Sequence, residues 1–149
     1  MQNQNEFGPR LTLTIIWLAA LLACVIGVES YIDHLQNGIV ILVPEDRAPI
    51  LRPLAILYGG YVAAILGFWY KPPFSNQGST NLRKIRFWLA FLCTLALNFI
   101  VVYMVWHRHF GSTSPVSEDV GNAVKIAGYM SFIVAPANVY YFGMKGKSG

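Results

Sequence analysis

The chain of 149 residues has the length of one domain and a very apolar composition. Hydrophobic residues make up 55% and charged residues 12% of it, which is about half the charged share of a typical soluble domain. So apolar a chain cannot stay disordered in water, and two cysteines exclude a disulfide-built secreted scaffold. A chain of this length also encloses too little interior to hide that much apolar surface, so the composition predicts a polytopic membrane protein.

Four apolar segments approach the roughly 20 residues that a helix needs to cross about 30 Å of hydrocarbon. They cover residues 11–28, 54–70, 87–106 and 123–142. Because lipid offers no partner to open backbone groups, the predicted fold class is an all-α membrane protein, a single four-transmembrane-helix bundle.

Two prolines bear on these helices. Pro53 is expected at the start of the second helix, where a helix tolerates proline, and Pro136 is expected to break the hydrogen-bond ladder of the fourth. In the second outer loop, Ser114-Pro115 and the acids after it are typical of a helix start, so the fourth helix is expected to begin one or two turns outside the bilayer.

The first segment also contains a short match to a lipoprotein cleavage site, Leu-Leu-Ala-Cys at residues 21–24. The apolar run continues past Cys24 as far as Val28, where a processed lipoprotein would normally turn polar. We therefore expect this segment to remain as an uncleaved span.

Basic residues in the loops predict how the chain is oriented. With four spans, both termini and the loop 71–86 share one side, which carries seven basic residues and one acidic residue. The loops 29–53 and 107–122, together with Lys125 at the outer end of the fourth span, carry four basic and six acidic residues. This asymmetry predicts cytoplasmic termini and explains the net charge of +4, so no direct nucleic-acid binding is inferred from it.

The first outer loop allows two predictions. Asn37-Gly38 between strand-prone residues is typical of a β-hairpin, because both turn positions need a positive φ. Alternatively, residues 29–36 extend the first helix and Asn37-Gly38 caps it. In either case residues 39–43 are expected to be extended and to stop at Pro44.

Small residues recur every four positions in the first two spans, which places them on one face of each helix. Such a face lets two helices approach closely in lipid, either within one chain or between copies in a homo-oligomer. The two sets are Ala19, Ala23 and Gly27 in the first span, and Ala55, Gly59, Ala63 and Gly67 in the second.

Polar side chains inside the spans are the next candidates, because they are costly in hydrocarbon. Asn98, Ser131 and Asn138 are expected either to form hydrogen bonds between helices or to line a polar path. No Asp or Glu lies at mid-membrane, which argues against a proton-coupled transporter.

The loop 71–86 ends in a basic helix entry with Arg83, Lys84 and Arg86. These residues are expected to anchor the helix at the membrane surface, or to bind anionic lipid or a cytosolic protein partner.

On the other side, His34, His107 and His109 lie near acidic residues. Solvated loop histidines, a metal site and a response to pH are each consistent with this pattern, and we predict a sensing role without a bound metal.

The sequence contains no phosphate loop, zinc-protease motif, nucleophile elbow or Cys-x-x-Cys, and we therefore predict a protein that is not an enzyme and has no cofactor. The alternatives are a small channel or transporter and, less favoured, a lipid-active or redox enzyme that uses the outer histidines and acids.

The layout of four spans, short loops and cytoplasmic termini resembles that of colicin immunity proteins and of the membrane subunits of some anti-phage systems, such as Kiwa. This resemblance implies a bacterial inner-membrane protein that works by contact, with a role in immunity or antiviral defense. The leading prediction is a homo-oligomeric membrane subunit that senses or anchors and docks a cytosolic partner.

Overall fold

Four long α-helices follow one another along the chain in a computed structural model, which describes residues 4–32, 35–36, 39–69, 80–111 and 114–143. The helices are α1 (Gln4–Glu29), α2 (Arg47–Trp69), α3 (Thr80–Trp106) and α4 (Val116–Gly143). Each contains a stretch long and apolar enough to cross a membrane, as the sequence predicted. The chain therefore has the build of a multi-pass membrane protein.

The helices begin earlier than the apolar segments suggested. A 3-10 turn, Pro44–Asp46, leads directly into α2 at Arg47, so Pro53 lies inside this helix and its predicted position at the helix start is wrong. The reason is that backbone hydrogen bonds can continue a helix through charged and turn-forming residues, which do not belong to the apolar segments. In α4 the prediction of an early start is confirmed, and the helix continues through Pro136 to Gly143.

The segment between α1 and α2 contains a short β pair. Strand β1 (Leu35–Gln36) pairs antiparallel with β2 (Ile39–Val40), with Leu35 opposite Val40. Because α1 ends at Glu29, its predicted extension to residue 36 is wrong. The predicted turn at residues 37–38 lies outside the described residues and remains a prediction.

The helices pack around a common core in the cyclic order α1–α2–α4–α3. Consecutive helices α2 and α3 are therefore diagonal to each other. The end of the bundle that carries residues 29–47 and 106–116 is called the distal end below, and the opposite end, with the first turns of α1 and α3, is called the terminal end.

The polar and apolar side chains are distributed as expected for a protein in lipid. Large hydrophobic residues cover the outer surface, with Phe132 81% exposed and Ile56 69% exposed. Thr94, Asn98 and Asn138 are buried inside the bundle. A surface of this kind is stable in hydrocarbon, whereas in water it would be an extended apolar patch.

Candidate functional site

An aromatic cluster fills the interior where α1 faces α2. The ring of Trp17 stacks on Tyr61 with a centroid distance of 3.9 Å and meets Tyr58 edge-on at 5.8 Å. The Cys24 thiol lies 3.7 Å from the Tyr58 hydroxyl. Trp17 Nε1 is buried and has no hydrogen-bond partner among the described residues, so this cluster is held mainly by packing.

A hydrogen-bonded pair, Thr94 and Asn138, joins α3 to α4. Asn138 Nδ2 donates to Thr94 Oγ1 at 3.0 Å and to the carbonyl of Val134 at 2.9 Å. Thr94 Oγ1 in turn lies 3.2 Å from Asn138 Oδ1, to which it donates. Hydrogen bonds of this kind join helices in a medium that offers buried polar groups no water.

Asn98 lies one turn from this pair but does not reach across to α4. Its Nδ2 donates to the carbonyl of Thr94 at 2.9 Å, within its own helix. Its Oδ1 is buried and accepts no hydrogen bond from the described residues. Asn98 is therefore a buried side chain with one unsatisfied acceptor.

Ser131, the third intramembrane residue singled out in the sequence, belongs to a different contact. Its hydroxyl donates to the carbonyl of Ala127 at 2.8 Å and accepts from the Tyr61 hydroxyl at 2.9 Å. This bond joins α2 to α4. The structure thus places Asn138 at the α3–α4 contact and Ser131 at the α2–α4 contact, while Asn98 is buried in α3 one turn from Thr94.

The small residues of α1 face both inwards and outwards. Gly27 is buried, and a Cβ at this position would lie 2.8 Å from Trp106 Nε1. The same indole nitrogen donates to the carbonyl of Ala23 at 3.0 Å. The small residues Ala23 and Gly27 therefore leave room for the Trp106 ring of α3, whereas Ala19 is exposed on the outer surface.

The small residues of α2 have a different environment. All four point to the outer surface, and a Cβ at either glycine would meet no atom within 4 Å. The buried residues Leu54 and Tyr58 lie on the opposite side of the helix. This α2 face, as we call it, consists of Ala55, Gly59, Ala63 and Gly67.

At the distal end, the His109 side chain lies against Ser30 and Tyr31, which follow the last residue of α1. Its ring stacks on Tyr31 with a centroid distance of 4.6 Å, and its Nε2 lies 2.9 Å from Ser30 Oγ. The Ser30 hydroxyl donates its single hydrogen to the carbonyl of Gly27, so His109 Nε2 acts as the donor to Ser30. A protonated ring can make the same bond. Burial raises the pKa of the Tyr31 phenol, which donates to the carbonyl of Val105 at 3.1 Å.

The three histidines do not form one site in the described part of the chain. His107 and His109 lie in a 3-10 turn, His107–Phe110, and their rings contact different aromatic residues, Tyr103 and Tyr31. His34 lies outside the described residues. Among the residues that the structure describes, no three His, Cys, Asp or Glu side chains are grouped so that they could hold a metal ion. The two cysteines are free.

The predicted docking residues lie at the terminal end. Lys84 is exposed in the first turns of α3 and Arg86 is half-buried. The side chain of Arg83 and residues 71–79 of the loop lie outside the described residues. The exposed ring of Trp88 packs edge-on against Phe91 at 5.5 Å. Basic and aromatic side chains thus occur together where α3 begins, as at a membrane–water interface.

Sequence reasoning missed four residues that hold the interior together, namely Trp17, Tyr58, Tyr61 and Thr94. Thr94 was detectable, because it is a polar residue within an apolar run and lies one turn before Asn98. The aromatic residues carried no such signal, since hydropathy does not show which side of a helix faces its neighbours.

The chain matches no protein-family model, no curated protein and no solved structure.

Proposed function

We propose that this protein is a non-enzymatic membrane subunit that assembles with copies of itself through the α2 face. The observation that carries the proposal is the exposure of all four small residues of this face, with no atom within 4 Å of a Cβ at Gly59 or Gly67. Helices associate in lipid where small residues let backbones approach closely. The small residues on α1 support the proposal, because Gly27 lets α3 of the same chain approach α1 closely, and the same spacing on α2 could do so for a second copy.

The test is the mass of the detergent-extracted particle. We expect the wild type to be a homo-oligomer and Gly59→Leu to be a monomer, because the larger side chain separates the two copies. Since a Cβ at Gly59 meets nothing within the protomer, the variant should still fold. The control is Ala96→Leu, which enlarges an exposed residue on α3 and should leave the mass unchanged. A monomeric wild type, or an unchanged mass for Gly59→Leu, would contradict the proposal.

We further propose that the terminal end faces the cytoplasm of a bacterial-type inner membrane and that loop 71–86 docks a cytosolic protein. The charge asymmetry of the loops supports this orientation, and the exposed Lys84 supports the docking site. Reversal of Arg83, Lys84 and Arg86 to glutamate should release the partner from the membrane fraction, while protease protection shows whether insertion is intact. Partner retention by a correctly inserted variant would rule out this docking site.

The layout resemblance suggests a role in immunity or antiviral defense for such a subunit, with the distal end as its sensing surface. The position of His109 supports sensing there, because a ligand at this end would meet a side chain in contact with Trp106 of α3 and with Ser30, directly after α1. His109→Ala should then abolish the response without changing the mass of the particle.

The second candidate is a small channel or transporter. The unsatisfied Oδ1 of Asn98 favours it, because a buried acceptor of this kind could bind a permeating water or solute. The double variant Asn98→Leu with Asn138→Leu should then abolish flux into liposomes, whereas an assembly role would be retained.

A further inference from the structure

A groove opens on the outer surface between the distal halves of α2 and α4. Its volume is about 930 Å³. Small residues on both helices create the space, since Ala48 and Gly128 offer almost no side-chain bulk and Pro53 projects no long side chain into it. Ile56 and Val124 give the groove an apolar wall. Because the residues that line the groove belong to two helices that can cross a membrane, we expect its opening to face lipid.

One cation lies in this otherwise apolar lining. Arg52 is exposed and contacts no carboxylate among the described residues, whereas Arg47 at the same end forms an ion pair with Glu29 at 2.5 Å. Arg52 lies five residues, about 8 Å, from the first residue of α2. The exposed Lys125, next to Val124, adds a second positive charge on α4.

A guanidinium beside an apolar groove is stabilised by an anion, because a charged group is costly near hydrocarbon. A phosphodiester satisfies it well, since its oxygens accept two parallel N–H bonds from one arginine. A phospholipid carries this anion and an acyl chain on the same molecule. The cation and the apolar groove therefore match the two parts of one ligand.

We propose that this groove binds one phospholipid, with its phosphate against Arg52 and one acyl chain between α2 and α4. The lipid belongs to the leaflet at the distal end, where the head group is level with the first turns of α2. The groove adjoins the start of the α2 face, because Ala55 lies between Pro53 and Ile56 of the groove lining, whereas Gly59 and Gly67 lie farther along the helix. The inference does not depend on self-association.

The test is native mass spectrometry of the full-length protein in detergent, with lipids of matched acyl chains added at known concentrations. The probes are phosphatidylglycerol, phosphatidylethanolamine and diacylglycerol, which has no phosphate. The wild type should bind both phospholipids and bind diacylglycerol weakly. Arg52→Gln should raise the Kd for both phospholipids about tenfold, a factor that corresponds to about 1.4 kcal/mol. The matched control, Arg47→Gln, removes a cation outside the groove and should leave the Kd unchanged.

A second variant tests the apolar part. A Cβ at Gly128 meets no atom within 4 Å, so Gly128→Leu should fold normally and fill the groove. It should remove the bound phospholipid while Arg52 is intact. Wild-type affinity in both Arg52→Gln and Gly128→Leu, or equal binding of diacylglycerol, would overturn the proposal.

The same spectra give the number of subunits, so lipid binding and self-association are measured separately. A change of subunit number in Gly128→Leu with unchanged lipid binding would show that the groove binds a second copy, which also overturns the proposal. A monomeric wild type that still loses lipid in Arg52→Gln would support the lipid site and contradict the proposed assembly.

Discussion

At the scale of single residues, Gly27 shows how tightly α1 packs on α3. A Cβ there would lie 2.8 Å from Trp106 Nε1 and 2.9 Å from Val105 Cγ1. The Trp106 ring cannot move without straining its hydrogen bond to the carbonyl of Ala23. We therefore expect Gly27→Ala to lower the free energy of unfolding by about 1–3 kcal/mol, the usual cost of overpacking, measured by denaturation in detergent.

The control for this prediction is Gly121→Ala in α4, where a Cβ meets no atom within 4 Å. Alanine is favoured over glycine inside a helix by up to about 1 kcal/mol, so this variant should be as stable as the wild type or more stable. Equal stability of Gly27→Ala and Gly121→Ala would show that the α1–α3 contact is looser than the structure indicates.

At the scale of the helix, self-association through the α2 face predicts that the effect of a substitution depends on the side of α2 on which it lies. Successive residues of an α-helix are about 100° apart, so Ala63 lies within the α2 face while Ala64, which is also exposed, lies at its edge next to Gly67. Ala63→Leu should therefore reduce the mass of the particle, as proposed for Gly59→Leu, and Ala64→Leu should reduce it less. Equal effects at both positions would show that the contact does not follow one side of the helix.

The same two helices show what could be predicted from the sequence. Hydropathy predicted four spans because the apolar runs are long, but it placed the start of α2 near Pro53 instead of Arg47, since helical hydrogen bonding does not require apolar side chains. The spacing of small residues was the same on α1 and α2. The packing of α3 against Gly27, at one end of the α1 stripe, distinguishes that stripe from the fully exposed α2 face.

The contacts in the interior could also be predicted only in part, because the sequence does not show which helices are neighbours. Polarity identified Asn98, Ser131 and Asn138 as residues that need partners inside the membrane. Their partners depend on which helices are neighbours. The cyclic order of the bundle brings Thr94 of α3 to Asn138 of α4, and Tyr61 of α2 to Ser131 of α4. Hydropathy contains no information about that order.

At the scale of the whole molecule, the orientation in the membrane can be measured by cysteine labelling. Both native cysteines are free, so Cys24→Ala with Cys93→Ala provides a background without thiols. Glu45→Cys at the distal end and Lys84→Cys at the terminal end replace exposed side chains. If the termini are cytoplasmic, an impermeant maleimide should label Glu45→Cys in intact cells and Lys84→Cys only after permeabilisation. The reverse pattern would invert the topology.

The ion pair between Glu29 and Arg47 joins the last residue of α1 to the first residue of α2. Within the segment that joins the two helices, a β-bridge between Ile32 and Leu42 brings the two ends of the segment together a second time. The paired strands β1 and β2 lie beyond this bridge, so a segment inserted between them starts from ends that are already close, and doubling the length of a connection costs only about 0.6 kcal/mol. An epitope tag or a graft of foreign sequence placed between the two strands should therefore cost the bundle little stability, which makes this position suitable for attaching a reporter.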